Sequence, residues 1–561
     1  MAPFPFLPRS LARVLWMPGL LLLACTHTAP SPSGPPEPPR RVQVQVLAVN
    51  DLHGHLEPPA GATGQVRVGQ ERVDAGGAAF LARHLATQRA THPNTVVVAA
   101  GDLIGGSPLL SALFHDEPTI EALNLAGLEL AAVGNHEFDE GTAELRRMQA
   151  GGCHPKEGCQ DGTPFDGARF QFLAANVTTE EGRTLFPPHA VRTFEGVKVA
   201  FIGMTLEGTP EIVDPVGVAG LRFRDEVETV NALVPELKRQ GVEAIVVVVH
   251  EGGLQAGSYD GCEGISGPIV AIAQGVDDEV DALITGHTHQ AYNCVIDGKR
   301  VTSASSYGRL FTDLDLVLDA ATGEVVESTA RNVIVTRDVE PHPEVTALVE
   351  RYKGLAAPLR LRVIGRVTEV LRQPDARRWP SGESTMGNTI ADSQREATRA
   401  PERGGAQVAF MNPGGIRAEL DAGDVTYDEA FTVQPFGNTL VTMTLTGAQL
   451  HTLLEQQWRE DGHTRILQPS QGFSYTYKAS APVGQKVDAA SLMLDGARVE
   501  PAKRYRVTVN SFLATGGDGF LVLAEGTERV GGPVDVDALE AWLRQNQPLS
   551  PPDTRRITRV E

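Results

Sequence analysis

Five apolar runs in the first 290 residues each break off into a short motif of Asp, Asn or His, and this recurrence constrains the chain more than its length does. Val42 to Val49 leads into Asn50-Asp51-Leu52-His53, Thr95 to Ala100 into Gly101-Asp102, and Leu130 to Val133 into Gly134-Asn135-His136-Glu137. Ala244 to Val249 leads into His250, and Ala282 to Thr285 into Gly286-His287-Thr288-His289. Each run has the length and Val/Ile/Leu/Ala content of a strand buried on both faces. In open α/β sheets ligands gather beyond the carboxyl ends of such strands, so the five segments are expected to deliver their donors to one crevice.

The donor chemistry narrows what that crevice holds. Asp51 and Asp102 offer carboxylates, Asn135 an amide oxygen, and His53, His250, His287 and His289 imidazoles, with no thiolate among them. Such mixed donors suit Zn, Mn, Fe or Co. These donors are too many for one tetrahedral ion and fit two ions sharing a bridging carboxylate, an arrangement that clamps attacking and leaving oxygens in phosphoryl transfer. Taken singly the motifs have duller readings, an Asp-x-His as a turn or helix cap and a lone His as an ordinary hydrogen-bonded side chain. Their order and their common place at strand exits favour the metal centre.

A chain of 561 residues with 41% apolar and 21% charged residues predicts two large globular domains. Its formal charge of -21 argues against a nucleic-acid surface, which needs clustered Lys and Arg. At the start, Arg9 and Arg13 precede an apolar stretch from Val14 to Ala24 that is short and interrupted by Pro18, the pattern of an export signal. Its ending, Leu22-Leu23-Ala24-Cys25, resembles a bacterial lipoprotein lipobox, which implies cleavage before Cys25 and a lipid anchor there. Ala29 to Arg40 is dense in Pro and Ser and reads as an extended tether. Four further cysteines are expected to pair as Cys153 with Cys159 and Cys262 with Cys294; a zinc knuckle is disfavoured because no C-x-x-C spacing occurs.

The five motifs together resemble the metal blocks of the calcineurin-like metallophosphoesterases. The resemblance implies that Asp51, His53, Asp102 and His289 hold one ion, and Asp102, Asn135, His250 and His287 the other. The longer block Gly134-Asn135-His136-Glu137-Phe138-Asp139 is similar to the 5'-nucleotidase branch, which implies a catalytic dyad of His136 and Asp139. A carboxylate on one imidazole nitrogen fixes the tautomer and favours the charged ring, so the other nitrogen can donate to phosphoryl oxygen or leaving group. Water on such an ion has its pKa lowered to about 7 and attacks phosphorus in line without a covalent intermediate.

The second half has a different composition. Glu340 to Leu359 has helical spacing at Val345, Leu348, Val349 and Tyr352 and predicts a connecting helix. Beyond Arg366, strand-like Gln407 to Met411, Thr439 to Leu445 and Tyr505 to Val509 alternate with a helix over Gly447 to Arg459, predicting an α/β domain with a mixed sheet. Three blocks resemble the 5'-nucleotidase C-terminal domain: Asn412-Pro413-Gly414-Gly415-Ile416-Arg417, Gln434-Pro435-Phe436-Gly437-Asn438, and Ser511 to Gly519. The resemblance implies that Asn412 and Arg417 touch phosphate, that Phe436 and Phe512 sandwich the base, that Asp518 binds ribose, and that Asn438 belongs to the substrate site. An arginine suits phosphate because its planar fork meets two oxygens at once. One position departs from the family: Pro380 stands where an arginine is usual, and Arg377 and Arg378 are the nearby candidates to replace it.

The implied architecture is α/β: an N-terminal metallophosphoesterase β-sandwich flanked by helices, joined by a helix to a C-terminal substrate-binding domain. The divisions are a leader over 1–24, a tether over 25–40, a catalytic domain over 41–337, a connecting helix over 338–365 and the substrate domain over 366–561. The expected activity is removal of the 5'-phosphate from nucleotides, with UDP-sugars as further substrates, by an exported, lipid-anchored protein using two divalent ions. The rivals are a 2',3'-cyclic-nucleotide phosphodiesterase with 3'-nucleotidase activity, a sulfur-ester hydrolase of the same family, and a surface binding protein that has lost catalysis. All seven ligands are present, which disfavours the last.

Overall fold

In the strand Arg41–Val49, Val42, Val44, Val46 and Ala48 are buried on one side and Leu47 and Val49 on the other. A strand turns alternate side chains to opposite faces, so an unbroken apolar run is stable only where both faces are covered. The computed structural model describes residues 39–561 apart from 60, 214–216 and 461, and Arg41–Glu561 forms one unit. The expected leader, the anchor at Cys25 and all but the end of the tether lie outside the described residues.

The first half is a sandwich of two six-stranded sheets. One runs in the order Val325–Ile334, Leu310–Asp319, Arg41–Val49, Thr95–Ala100, Leu130–Ala132, Gln171–Leu173. The other runs Ala291–Ile296, Lys299–Ala304, Ala282–Thr285, Ala244–His250, Val197–Thr205, His189–Phe194. Val46, Val98 and Leu130 of the first pack against Phe201, Val246 and Ile284 of the second. Helices Ala78–Arg89 and Glu117–Ala126 cover the outer face of the first sheet, and Glu226–Arg239 and Pro268–Gly275 that of the second. Burial of each Val, Leu or Ile contributes about 1.5–3 kcal/mol, so these runs hold the layers together.

All five runs form strands, and the expected sandwich divides them between its two sheets. Three lie in the first sheet and two in the second. A run buried on both faces is satisfied equally by a helix layer on one side and a facing sheet on the other. The motif loops meet across the edge of the sandwich, where the His250 ring nitrogen Nδ1 bonds to the Ala100 carbonyl at 2.7 Å and Thr205 Oγ1 donates to the Val133 carbonyl at 2.7 Å.

The connecting helix spans Pro343–Arg360, with Val345, Val349, Tyr352 and Ala356 buried against the first lobe. It starts three residues later than Glu340 because His342 precedes a proline and stays extended, while Pro343 suits the first helical position. The second lobe has a five-stranded sheet ordered Gln468–Pro469, Val408–Met411, Arg504–Asn510, Thr439–Thr446, Thr527–Val534. Val408–Met411 and Arg504–Asn510 are parallel and the other pairs antiparallel, so the sheet is mixed as expected. The helix there is Gly447–Glu455, opened by a Thr446/Gln449 capping box and shorter than the expected span to Arg459. Both predicted disulfides, Cys153–Cys159 and Cys262–Cys294, are formed. Among the described residues no helix is long and apolar enough to cross a membrane.

Candidate active site

Five of the seven expected ligands adopt left-handed backbone: Asp51 (φ 50°), His53 (47°), Asp102 (50°), His287 (68°) and His289 (55°). Such conformations are uncommon for residues with a Cβ and persist only where the surroundings determine them. Here each strand ends and its chain must reverse at once, which turns the side chain over the sandwich edge. At Gly101 a Cβ would lie 2.6 Å from His250 Nδ1 and 2.7 Å from the Gly134 amide, so only glycine lets these loops approach.

The turned side chains converge. His289 Nε2 lies 3.0 Å from His53 Nε2 and 3.5 Å from Asp51 Oδ1. Asp102 Oδ2 lies 3.6 Å from His53 Nε2 and 3.0 Å from His250 Nε2, which is itself 3.1 Å from Asn135 Oδ1. Asp51, His53 and His289 form one group of donor atoms within 4.8 Å of one another, and Asp102, His250 and His287 another. Asp102 stands between them, as a bridging carboxylate must.

Two ring tautomers are set by the backbone. His53 Nδ1 donates to the Gly105 carbonyl at 2.8 Å, and His250 Nδ1 to Ala100, so each ring turns Nε2 toward the common centre. A metal-binding histidine typically has its second nitrogen held in this way. Asp51 receives the His287 amide at 3.0 Å and the Asn50 side-chain amide at 2.6 Å. Burial pushes the Asp51 carboxyl up to about 7, opposed by His250. Burial acts in the same sense on Asp102, yet His250, His136 and His53 hold its carboxyl well below the usual range. Two buried carboxylates, two buried imidazoles and the half-buried His287 and His289, without a Lys or Arg among them, fit a pair of cations.

Beside this centre His136 Nδ1 meets Asp139 Oδ2 at 2.9 Å across the short turn His136–Phe138. Burial would discharge the ring, but Asp139 and Asp102 outweigh it and raise its pKa. The His136 amide donates to Asp102 Oδ1 at 2.9 Å, tying the His136–Asp139 pair to Asp102.

Glu137 belongs to the same motif, and sequence reasoning assigns it no role. Its buried carboxylate accepts the amides of Asp102 (2.9 Å), Leu103 (2.8 Å) and Gly134 (2.6 Å), joining two of the ligand loops. No sequence pattern marks such a role, because the partners are backbone groups 34 and 35 residues away as well as a near neighbour.

The second lobe closes over the dyad. A cavity of about 330 Å³ is lined by Asn135, His136, Asp139 and His287 from below and by Asn412, Arg417, Phe436, Asn438, Phe512 and Asp518 from above. Phe436 stacks on His136 and lies under the Arg417 guanidinium, 5.7 Å from its carbon. Arg417 Nη2 is buried without a hydrogen-bond partner. Asn412 donates to Asp518 Oδ2 at 2.8 Å and accepts from Asn510 Nδ2 at 3.0 Å, so both ends of its amide are engaged. Asn438 Oδ1 accepts from Ser511 Oγ at 3.1 Å.

Arg377 and Arg378 do not replace the missing arginine. The Arg377 side chain is 95% exposed beside Asp375, Arg378 lies over Trp379, and neither lines the cavity. The cavity instead receives Arg465, whose Nε is 3.3 Å from Asp518 Oδ1. Arg465 follows a turn whose closure brings it in from a segment with no recognisable motif, so sequence reasoning misses it. The block Glu383 to Asn388 begins a helix: Ser384 caps it, and Glu383 holds Asn388 and the Arg556 and Ile557 amides.

Residues 44–291 match the calcineurin-like phosphoesterase family model, and residues 363–525 match the 5'-nucleotidase C-terminal domain. Endonuclease YhcR of Bacillus subtilis is 32% identical over 535 residues, covering 93% of this chain and 41% of that protein. Cell wall protein Lmo0130 of Listeria monocytogenes is 33% identical over 514 residues, covering 85% of this chain and 64% of that protein. The chain thus spans less than two thirds of either relative. The crystal structure of a 5'-nucleotidase precursor from Thermus thermophilus superposes with a TM-score of 0.75 at 27% identity, covering 92% of this chain and 99% of that one.

Proposed function

The chain belongs to the 5'-nucleotidase family of the calcineurin-like metallophosphoesterases, and from that premise we propose that it removes the 5'-phosphate from nucleotides with two divalent ions. The observation that carries this reading is the position of Asp102, 3.6 Å from His53 in one donor group, 3.0 Å from His250 in the other, and bonded to the amide of His136. Asp51, His53, Asp102 and His289 would hold one ion; Asp102, Asn135, His250 and His287 the other. The ions, of Zn, Mn, Co or Fe, would supply an activated water and neutralise phosphoryl charge. Arg417 has a buried donor with no protein partner, suited to a phosphate oxygen. His136, whose charged form Asp139 favours against burial, would hold a proton at Nε2 for the phosphoryl or leaving oxygen. Phe436 and Phe512 would offer aromatic faces to a base, Asn412 would join Arg417 at the phosphate, Asp518 would bind ribose, and Asn438 lines the same cavity.

A second reading, action on UDP-sugars, is favoured by Arg465. Its guanidinium beside Asp518 adds a cationic group where a further phosphate could be met. The division into a catalytic part over 41–337, a linking helix over 338–365 and a substrate part over 366–561 belongs to this proposal. So do export and a lipid anchor at Cys25, which rest on the leader pattern alone.

The test pairs a substrate panel with metal analysis. AMP is expected to be hydrolysed fastest among AMP, UDP-glucose, 2',3'-cyclic AMP and a thiosulfate ester, and Asp102→Ala to lose metal and turnover together. Activity surviving Asp102→Ala with metal gone would end the two-ion reading. Labelling with a radioactive fatty acid that persists in Cys25→Ser would end the anchor.

A further inference from the structure

Away from the cavity, two histidines and two glutamates from three separate segments meet beside a disulfide loop. His115 lies in the turn before the helix Glu117–Ala126, in left-handed backbone (φ 51°). Its Nδ1 donates to Glu140 Oε2 at 2.7 Å. Its Nε2 is buried and makes no hydrogen bond, with Glu157 Oε2 3.4 Å away. His154 and Glu157 both stand in the loop closed by Cys153–Cys159. Ring nitrogens of His115 and His154 and a carboxylate oxygen of Glu157 lie within 4.8 Å of one another.

We propose that His115, His154 and Glu157 form a third metal site, separate from the catalytic pair, for a first-row transition ion such as Zn²⁺, with Glu140 orienting His115. Two imidazoles and a carboxylate with a fourth position open are a known zinc donor set. The Glu140 carboxylate on Nδ1 does for His115 what backbone carbonyls do for His53 and His250: it leaves Nε2 as the coordinating atom. The left-handed backbone of His115 and its buried nitrogen without a hydrogen-bond partner both cost free energy, which an ion at Nε2 would offset.

The His115 and His154 rings stack at 3.8 Å between centroids and 21° between planes, so an ion in the plane of one ring does not lie in the plane of the other. Tetrahedral bonds of about 2.0 Å place donors about 3.3 Å apart. Ligation therefore turns the His154 ring from the face of His115 toward its edge, a side-chain rotation within donor atoms already close. Glu140, Glu157 and Glu144 hold the uncomplexed His115 ring protonated, to about 9, so the entering ion displaces one proton to solvent. Glu140 follows Asp139 in the chain, and the bound ion fastens the turn that carries the dyad to the disulfide loop.

Zinc content after equilibration at fixed free Zn²⁺ is the measurement, on the full chain. Wild type is expected to hold three equivalents, His154→Ala two with AMP turnover unchanged, and Asp102→Ala one. Co²⁺-loaded Asp102→Ala should show the absorption of a four-coordinate site, lost when His154→Ala is added. Two equivalents in wild type, or a third retained in His154→Ala, would overturn the site. Asp102→Ala distinguishes this from failure of the catalytic reading, because the peripheral ion and its cobalt spectrum survive there. Since His154 lies on a surface loop, an unchanged melting temperature of metal-free His154→Ala checks that the fold is intact.

Discussion

The Phe436 ring lies flat on the His136 imidazole, 5.5 Å between centroids and 14° between planes. One residue comes from the second lobe and the other from the turn His136–Phe138, so the surface proposed for a base touches the group proposed for a phosphate.

Phe436→Ala removes that aromatic face. Base stacking contributes about 1–3 kcal/mol, so KM for AMP should rise on the order of 5- to 100-fold. Phe436→Tyr should retain most of the affinity. Metal content should stay at the wild-type level, and a KM unaffected by the alanine change would remove Phe436 from the binding surface.

Arg417 tests the anion site. A hydrogen bond to a charged group contributes about 1.5–3 kcal/mol, so Arg417→Ala should weaken AMP binding about 10- to 100-fold. Arg417→Lys keeps the charge but loses the planar fork and should recover only part of the loss. Inhibition by adenosine, which lacks phosphate, should hardly change; an equal loss for both ligands would point to general disruption.

Glu137 is the positioning residue between the Asp102 and Asn135 loops. Glu137→Ala strands three buried amides, each costing about 1–3 kcal/mol. The melting temperature should fall, and affinity for the catalytic ions should drop about 10- to 100-fold, the scale of losing an outer partner of a ligand. Competition with a chelator of known affinity measures the second effect, and unaltered affinity would contradict the role.

Asp281 provides a pH dependence outside the site. Burial pushes its carboxyl up to about 7; the Ile245 amide opposes this, Glu324 and Glu279 reinforce it, and Lys238 opposes it. The folded chain therefore binds this proton more tightly than the unfolded chain, where the carboxyl titrates near 3.8. Stability from this group is fully present at low pH and is lost as pH rises from about 4 through 7. Asp281→Asn does not titrate and can still accept the Ile245 amide at the start of Ala282–Thr285. Its melting temperature relative to wild type should increase from pH 5 to pH 8; a constant difference would mean that the carboxyl is not penalised by burial.

The strands and their ligands were legible because both are local properties. Apolar runs such as Ala244 to Val249 encode burial residue by residue, and Asp, Asn and His at the exits encode donor chemistry whatever the partners. The short cysteine spacing at Cys153 and Cys159 and the helical spacing of Val345, Val349 and Tyr352 were informative for the same reason.

What the amino-acid order determined by itself was therefore the strand content, the Asp, Asn and His donors at the strand exits and the residue types that line the cavity. Only the tertiary structure decided that Ala244–His250 and Ala282–Thr285 join a second sheet, that Glu137 ties two loops, and that Arg465 rather than Arg377 or Arg378 enters the cavity. Strand partners and loop closures are chosen by packing between segments far apart in the chain. A residue's own neighbours in sequence carry no record of that choice.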